Sequence, residues 1–151
     1  MINLGFYIKD LSHKECVATI SQEIDRAKAA NELLDASIFF DDIGPVDIPV
    51  NAGFFNSTDI WNFTGDLVVF SLDNLSRSLS FVNNFDVYYC FGFEPYNVLQ
   101  LLKILDTNNV HTIVSNESSA QNFYRVTGRK PISINENLTN IATTIMEHKN
   151  E

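Results

Sequence analysis

The sequence predicts an α/β fold: a single open, doubly wound, mostly parallel sheet of about six to seven strands, with helices on both faces. Short apolar runs alternate with segments of helical periodicity along the whole chain, which is typical of βαβ units. The length of 151 residues suits one domain over 1–151 and excludes a closed barrel, which needs about 250. Hydrophobic residues make up 45% of the chain, so we expect a buried core rather than disorder.

Strands are predicted where a short apolar run alternates or lies between turn residues. They fall at 2–8, 37–40, 66–72, 86–91, 110–115 and 131–135, with a short additional strand at Phe54 and Phe55. Leu4, Phe6 and Ile8 alternate in the first strand. The second strand is the run SIFF, which Asp41 and Asp42 are expected to end.

Helices are predicted between these strands, at about 13–34, 59–63, 73–84, 95–106, 117–127 and 136–148. The first begins at a capping box that Ser12 opens and Glu15 closes. Strands that alternate with helices in this way, joined by right-handed crossovers, form the Rossmann-like arrangement.

Three later helices carry signals at their ends. Asp73 or Asn74 is expected to cap the helix after 66–72, and Pro95 suits the first turn of the next one. Gly128 suits the position just after the helix over 117–127. These signals support the alternation of strands and helices.

Residues 43–56 form an irregular, acidic loop. Gly44, Pro45, Pro49 and Gly53 interrupt any regular element there. Long irregular loops in compact domains are often functional, so this loop is a candidate functional region.

Negative charge is concentrated in the middle of the chain. The formal net charge is −9, and residues 35–94 hold nine acidic residues against one basic residue, Arg77. A binder of nucleic acid needs a basic stripe, so nucleic acid is an unlikely partner, whereas a basic protein surface suits this charge. The candidate residues for such a partner surface are Asp47, Phe54, Phe55, Asp59 and Trp61. Alternatively, the aromatic residues pack the loop onto the sheet.

Ligands of open α/β sheets bind beyond the carboxyl ends of the strands. The candidate ligand-binding residues at those ends are Asp10, Ser12, Asp41, Asp42, Ser71, Gly92, Glu94, Ser115 and Glu117. Asp41 and Asp42 together could accept a ribose hydroxyl or hold Mg²⁺ or Mn²⁺ with phosphate oxygens. The alternative is that such residues cap helices or line a solvated turn. His13 is either a residue of this site or a surface histidine in the first turn of a helix.

Several other functions are disfavoured. The first strand-to-helix turn, YIKDLSHKE, has no glycine-rich fingerprint, and no phosphate-binding loop occurs, so NAD, FAD and P-loop nucleotides are unlikely ligands. No histidine and cysteine cluster predicts a metal site, and Cys16 and Cys90 are expected to fill the core. The sequence predicts neither a signal peptide nor a membrane span, and on that basis we expect a cytoplasmic protein. Arg125, Arg129 and Lys130 could bind a phosphate or stabilise the end of a helix.

Two segments carry a resemblance to known proteins: FNSTDIWNFTGDLVVFSLDN at 55–74 and VHTIVSNESSAQNFYRVTGRKPISIN at 110–135. They resemble short, uncharacterised proteins of tailed phages that infect marine cyanobacteria. Those proteins in turn resemble one Rossmann-like half of the glycosyltransferases that hold a sugar nucleotide between two such domains. The resemblance implies a transferase-like fold and a sugar-nucleotide ligand. The chain departs from the family in its first turn, and only Glu117 lies near the position of the paired glutamates of the donor half.

Two functions from different classes therefore stay open. The first is a glycosyltransferase-like domain that binds a nucleotide or a nucleotide sugar, with Mg²⁺ or Mn²⁺ as the implied cation. The second is a non-catalytic, acidic interaction protein that binds a host or virion protein.

Overall fold

The computed structural model describes residues 2–81, 85–92, 94–107, 110–135 and 140–150. Its strands are β1 (Ile2–Asp10), β2 (Leu34–Asp42), β3 (Gly53–Asn56), β4 (Gly65–Val69), β5 (Phe85–Phe91), β6 (His111–Val114) and β7 (Ser133–Ile134). Its helices are α1 (Lys14–Ala30), α2 (Leu72–Ser80), α3 (Val98–Thr107), α4 (Glu117–Thr127) and α5 (Ile141–Lys149), with a 3-10 helix at Ser57–Asn62. The seven strands form one sheet in the order β3-β2-β1-β4-β5-β6-β7, and every pair is parallel. The predicted fold class is confirmed.

Helices cover both faces of the sheet, as predicted. One hydrophobic core packs α1 and α5 against one face, through residues such as Phe6, Ile20 and Ile145. A second core packs α2, α3, α4 and the 3-10 helix against the other face, through residues such as Leu75 and Phe123. This division follows from right-handed crossovers, because the chain leaves β1 toward one edge of the sheet and leaves β4 toward the other.

The first two strands are longer than predicted. β1 continues to Asp10, and β2 runs from Leu34 to Asp42, so Asp41 and Asp42 are the last two residues of the second strand rather than the turn after it. The two strands pair along their whole length, from Ile2 opposite Leu34 to Asp10 opposite Asp42. Pairing with a neighbour extended these strands beyond their apolar residues, which a local pattern does not reveal. β4 and β7 end earlier than predicted: β4 ends at Val69, just before Ser71 caps the next helix, and β7 is only Ser133 and Ile134, which pair with β6.

Two helix starts differ from the prediction. Ser71 caps α2 by accepting a hydrogen bond from the backbone N–H of Asn74, so neither Asp73 nor Asn74 is the cap. Pro95 precedes α3 rather than lying in its first turn. The side-chain oxygen of Asn97 accepts the N–H three residues ahead and so starts this helix.

The prediction for α4 agrees with the structure, whereas two other predicted helices extend into residues that it does not describe. α4 spans 117–127 as predicted, and Gly128 follows it with a φ of 71°, which is the left-handed conformation expected there. The predicted helices over 73–84 and 136–148 include residues 82–84 and 136–139, which lie outside the described residues. No described helix is long and apolar enough to cross a membrane.

The connection between β2 and β3 is irregular over 43–52, as predicted, and it packs on α1. Val46 and Val50 contact the core under α1, and the Oγ of Ser21 donates a hydrogen bond to the Pro49 carbonyl at 3.3 Å. Lys28 donates to the Asn51 carbonyl at 2.6 Å. These contacts hold the loop beside the helix.

Candidate functional site

The carboxyl ends of β1 and β4 border a crevice where the strand order reverses. α1 leaves β1 toward one edge of the sheet and α2 leaves β4 toward the other, so the loops diverge at this point, which is where open α/β sheets bind ligands. The cavity there measures about 270 Å³. Its polar lining comes from Lys9, Asp10, His13, Cys16, Ser71, Asp73, Asn74 and Glu94. Asp10, Ser71 and Glu94, three of the predicted ligand-binding residues, thus meet in one crevice.

The turn from β1 into α1 is organised by the Asp10 carboxylate. Its Oδ1 accepts hydrogen bonds from the Ser12 N–H at 2.8 Å and from the Ser12 hydroxyl at 2.7 Å. These bonds hold the pKa of Asp10 below its usual value, so the group is ionised at neutral pH. The predicted capping box is therefore wrong, because Asp10 engages the Ser12 side chain. His13 caps α1 instead, accepting the Cys16 N–H on its Nδ1 at 3.1 Å.

This cap determines which nitrogen of the neutral His13 ring carries the proton. Because Nδ1 accepts a hydrogen bond, the neutral ring carries its proton on Nε2 and can donate there to a ligand. His13 was considered from the sequence both as a site residue and as a first-turn surface residue, and the structure places it in the lining of the crevice.

The opposite wall of the crevice is held by a buried amide. Asn74 is buried, and its Nδ2 donates to the Tyr7 carbonyl at 3.4 Å, which links α2 to β1. The backbone carbonyl of Asn74 accepts a hydrogen bond from the Ser78 hydroxyl at 2.7 Å. Ser71 caps the same helix. The sequence marked Asn74 as a possible cap but gave no sign of this link, which depends on strand order.

The crevice is acidic. The carboxylates of Asp10, Asp73 and Glu94 line it, against the single lysine Lys9 and the His13 imidazole. Burial, together with the charge of Glu94, raises the pKa of the half-buried Cys16 thiol to about 11. This thiol is therefore protonated at neutral pH and is not a reactive nucleophile.

Asp41 and Asp42 do not act as a pair in the structure. Successive strand residues point to opposite faces, and Asp41 shares its face with Tyr7, whose hydroxyl donates to both of its carboxylate oxygens at 2.9 Å. Arg77 donates to the same carboxylate at 2.7 Å. Asp42 is exposed and lies opposite Asp10 in the register of β1 and β2. The carboxylate beside Asp10 is therefore Asp42, whereas Asp41 belongs to a contact between β1, β2 and α2.

Replacing Tyr7 with phenylalanine is expected to lower the free energy of unfolding by about 1–2 kcal/mol at pH 7, because Asp41 loses a hydrogen bond in a half-buried place. Burial raises the pKa of Tyr7 to about 12, and the Asp41 contact adds to the rise. The folded state therefore retains this proton better than the unfolded chain. The stabilisation is complete below about pH 10 and is lost as pH rises through the folded pKa.

Urea unfolding of the Tyr7→Phe variant at pH 7 and at alkaline pH measures both effects. The exposed Tyr124 provides the matched control, and Tyr124→Phe should leave stability nearly unchanged. Equal effects of the two substitutions would contradict the role assigned to the Tyr7 hydroxyl.

The remaining predicted ligand-binding residues lie elsewhere. Gly92 follows β5 and faces Ser119 of α4, and the Ser115 hydroxyl accepts a hydrogen bond from Asn116 at 3.4 Å. Glu117 begins α4 and lines a separate groove beside β7. Glu117 is thus separated from the crevice, and Gly92 and Ser115 line neither the crevice nor this groove.

The aromatic residues of the predicted partner surface divide between packing and exposure. Phe54 and Phe55 are consecutive residues of β3, so they face opposite sides of the sheet. The Phe55 ring lies 6.0 Å from that of Phe39, and the Trp61 ring lies 4.9 Å from that of Phe81 in an edge-to-face contact. These contacts support the alternative in which the aromatics pack this region onto the sheet. Trp61 nevertheless remains 51% exposed.

In the fold, lysines from other parts of the chain neutralise some of the negative charge of residues 35–94. Lys14 lies 3.0 Å from Asp47, and Lys149 lies 2.8 Å from Asp66. Both lysines come from outside residues 35–94, and Lys149 also lies 3.9 Å from Asp86. The charge segregation of the sequence is therefore weaker on the folded surface. Asp59, at the start of the 3-10 helix, is exposed.

The described residues contain no group of three or more histidine, cysteine, aspartate or glutamate side chains that could hold a metal ion. Cys16 and Cys90 are free thiols; Cys90 is buried in the core, as predicted, and Cys16 is half-buried at the crevice. The sequence could have identified Cys16 as a residue of the crevice, because it lies about one turn after the start of the helix that follows β1.

Comparison with known proteins adds no relative to this picture. The fold class stands on the strand order, and the resemblance to phage proteins and to glycosyltransferases stays a prediction. No family model, no curated protein and no solved structure matches the chain.

Proposed function

We propose that the chain is a ligand-binding domain that takes the hydroxyl-bearing part of a nucleotide or nucleotide sugar in the crevice between β1 and β4. The observation that supports it most is the meeting of Asp10, Ser71 and Glu94 with the His13 ring at the point where the strand order reverses. A glycosyltransferase-like role is the finer form of this proposal, and it rests on the resemblance of 55–74 and 110–135.

Carboxylates recognise hydroxyl groups as acceptors, and charged hydrogen bonds are the strong ones. Asp10 uses Oδ1 for Ser12, so its Oδ2 is the acceptor for a ribose or sugar hydroxyl. Glu94 is exposed and supplies a second carboxylate. The His13 Nε2–H is a donor for a ring or hydroxyl oxygen. A pair of acceptors and a donor around a cavity of about 270 Å³ suits a single sugar ring.

The same carboxylates repel a phosphate group. The turn between β1 and α1 lacks the glycines that let a pyrophosphate approach the backbone, and Lys9 is the one lysine of the lining. The described residues bring no three histidine, cysteine, aspartate or glutamate side chains together, so a divalent cation here would take most of its ligands from water or from the bound molecule. The proposal therefore assigns no part in ligand binding to a metal ion. We expect the phosphates of a bound ligand to point out of the crevice.

Calorimetric titration of the full chain with uridine, UDP, UDP-glucose and GDP-mannose, with and without Mn²⁺, tests the proposal. We expect binding of at least one nucleoside or sugar nucleotide, unaffected by Mn²⁺. Asp10→Asn and Glu94→Gln should each weaken it by about tenfold, because each removes a charged acceptor. Asp25→Asn, on the exposed side of α1, should leave the affinity unchanged.

Two results would contradict the proposal. One is the absence of heat for all four compounds at millimolar concentration. The other is binding that Asp10→Asn, Glu94→Gln and Asp25→Asn weaken equally, since the crevice would then have no special part in it.

A role as an interaction protein is the second candidate, favoured by a hollow beside β3. The hollow measures about 350 Å³ and brings the exposed ring of Phe55 and the buried ring of Phe63 beside Asp59 and Asn62. An apolar floor with an acidic rim suits a basic partner that inserts one apolar side chain. Capture of a partner from a cell lysate at low salt, reduced by Phe55→Ser and by Asp59→Lys, would support it. Equal capture by the wild type and both variants would count against this surface.

A further inference from the structure

A separate groove runs along the edge of the sheet between α4 and β7, on the far side of the molecule from β3. It measures about 850 Å³, and its apolar lining comes from Ala120, Tyr124, Pro131, Ile132 and Ile134. Tyr124 and Ile134 are 55% and 46% exposed. Large apolar side chains that line an open groove are typical of surfaces that bind another protein.

Charge changes sign along this groove. Glu117 lines it at the first turn of α4, whereas Arg125 lies in the last turn and Lys130 follows the helix. Eight residues of helix separate Glu117 from Arg125, which is about 12 Å. Arg129 lies near the same end, 3.8 Å from Asp106. The groove therefore has one acidic and one basic end, in a chain whose net charge is −9.

We propose that this groove docks an extended segment of a partner protein, with apolar side chains against Tyr124 and Ile134 and acidic side chains against Arg125 and Lys130. The occupant is identified by charge complementarity at the basic end and by the apolar lining between the ends. The shape favours a polypeptide over a small molecule, because small ligands bind where most of their surface is enclosed, and this groove is open.

The basic end acts locally in spite of the negative net charge. Charges separated by more than about 8 Å are largely screened at physiological ionic strength. An acidic side chain between Arg125 and Lys130 is therefore attracted by these two groups more than it is repelled by the distant carboxylates. The docked segment would consequently bind more weakly as salt is raised, and its acidic residues would lie at the Arg125 end rather than at Glu117.

The edge strand defines the direction of the groove. β7 consists of Ser133 and Ile134, and it pairs with β6 on one side only among the described strands. Such a short edge offers little backbone for strand addition, so we expect side chains in the groove to contribute most of the affinity. An extended segment is the simplest chain that follows the straight space between a helix and a strand.

Fluorescence anisotropy with three labelled peptides of about eight residues tests the chemistry of the occupant. In the first, leucine and glutamate alternate; the second has lysine in place of glutamate; the third has serine in place of leucine. We expect the first to bind and the other two to bind at least about tenfold more weakly. Binding of the first should weaken as salt is raised.

Variants of the full chain locate the site. Arg125→Glu combined with Lys130→Glu, and separately Ile134→Ser, should each weaken binding of the first peptide by about tenfold. Lys14→Glu combined with Lys28→Glu changes the net charge by the same amount, but on α1. This variant should change the affinity for the first peptide only slightly. Circular dichroism establishes that each variant is folded.

The proposal is overturned if the glutamate and lysine peptides bind equally, if no peptide binds, or if the α1 variant weakens binding as much as the groove variant. Sedimentation velocity of the chain alone tests one other occupant. Self-association that Arg125→Glu and Lys130→Glu abolish would show that a second copy fills the groove, and the partner segment would then be rejected.

Discussion

Replacing Gly65 with alanine is expected to lower the free energy of unfolding by about 3–4 kcal/mol, which is the largest effect that we expect from a single methyl group in this chain. Gly65 opens β4, the strand beside the crevice, with a φ of 141°. Residues with a side chain rarely adopt this backbone conformation. A Cβ at this position would also overlap the Asn3 carbonyl oxygen of β1.

Strain and overlap at Gly65 can be separated with a matched control. Gly128 also has a positive φ, of 71°, but a Cβ there would have no atom within 4 Å. Gly128→Ala should therefore cost only about 1–2 kcal/mol, the penalty of the left-handed conformation itself. Urea unfolding of both variants gives the comparison. Equal losses at the two positions would show that the contact with Asn3 contributes nothing.

Asn3 and Gly65 also illustrate what the sequence could not reveal. The Asn3 side chain donates to the Thr64 carbonyl at 3.1 Å, so β1 holds the start of β4 from 61 residues away. The overall alternation of strands and helices was predictable, because apolar periodicity is local. The φ of Gly65 depends on which strand lies beside it, and that information is absent from any window of the sequence.

The helix ends show the same division. The end of α4 at Gly128 was predicted correctly because a glycine after a helix acts within one turn of the chain. The start of α1 was predicted correctly but its cap was not, because the Asp10 carboxylate binds the Ser12 hydroxyl and N–H, and this contact depends on where β1 ends. β1 is extended to Asp10 by its pairing with β2, so the wrong strand end and the wrong cap have one cause.

The candidate site was predictable in its residues but not in their grouping. The rule that ligands bind beyond the carboxyl ends of strands selected Asp10, Ser71 and Glu94, which line one crevice in the structure. The same rule also selected Asp41, which does not line the crevice and is held instead by Tyr7 and Arg77 on the face of the sheet that α2 covers. The strand order, and the face of the sheet to which each residue points, distinguish Asp10 from Asp41. Both are known only once β1 is paired with β2 and β4.

Glu23 is a second position at which one substitution should have a large effect. Its side chain is almost fully buried under α5, and Oε1 accepts the Ala142 N–H at 3.2 Å. The cap residue of α5, Asn140, makes no side-chain capping bond. A carboxylate of α1 therefore takes over the role of a cap for α5, where the helix dipole also favours negative charge. Its other oxygen lies 3.5 Å from Arg26.

Glu23→Ala is expected to lower the free energy of unfolding by about 2–3 kcal/mol, because a buried N–H of α5 loses its acceptor and a space opens between the helices. Glu23→Gln keeps an acceptor oxygen and removes the buried charge, so its stability at pH 7 should lie within about 1 kcal/mol of the wild type. Asp25→Ala, exposed on the same helix, serves as the control.

The pH dependence distinguishes the charge of Glu23 from its shape. Burial raises the pKa of this carboxyl, against the opposing effects of the Ala142 N–H and Arg26. The folded chain therefore binds the proton more tightly than the unfolded chain, in which a glutamate titrates near about 4.3. The contribution of Glu23 to stability is greatest below that pH and falls as pH rises through the folded value. Relative to Glu23→Gln, the wild type should lose stability between pH 4 and neutrality in urea titrations. A wild type that instead gains stability relative to Glu23→Gln as pH rises would contradict the raised pKa.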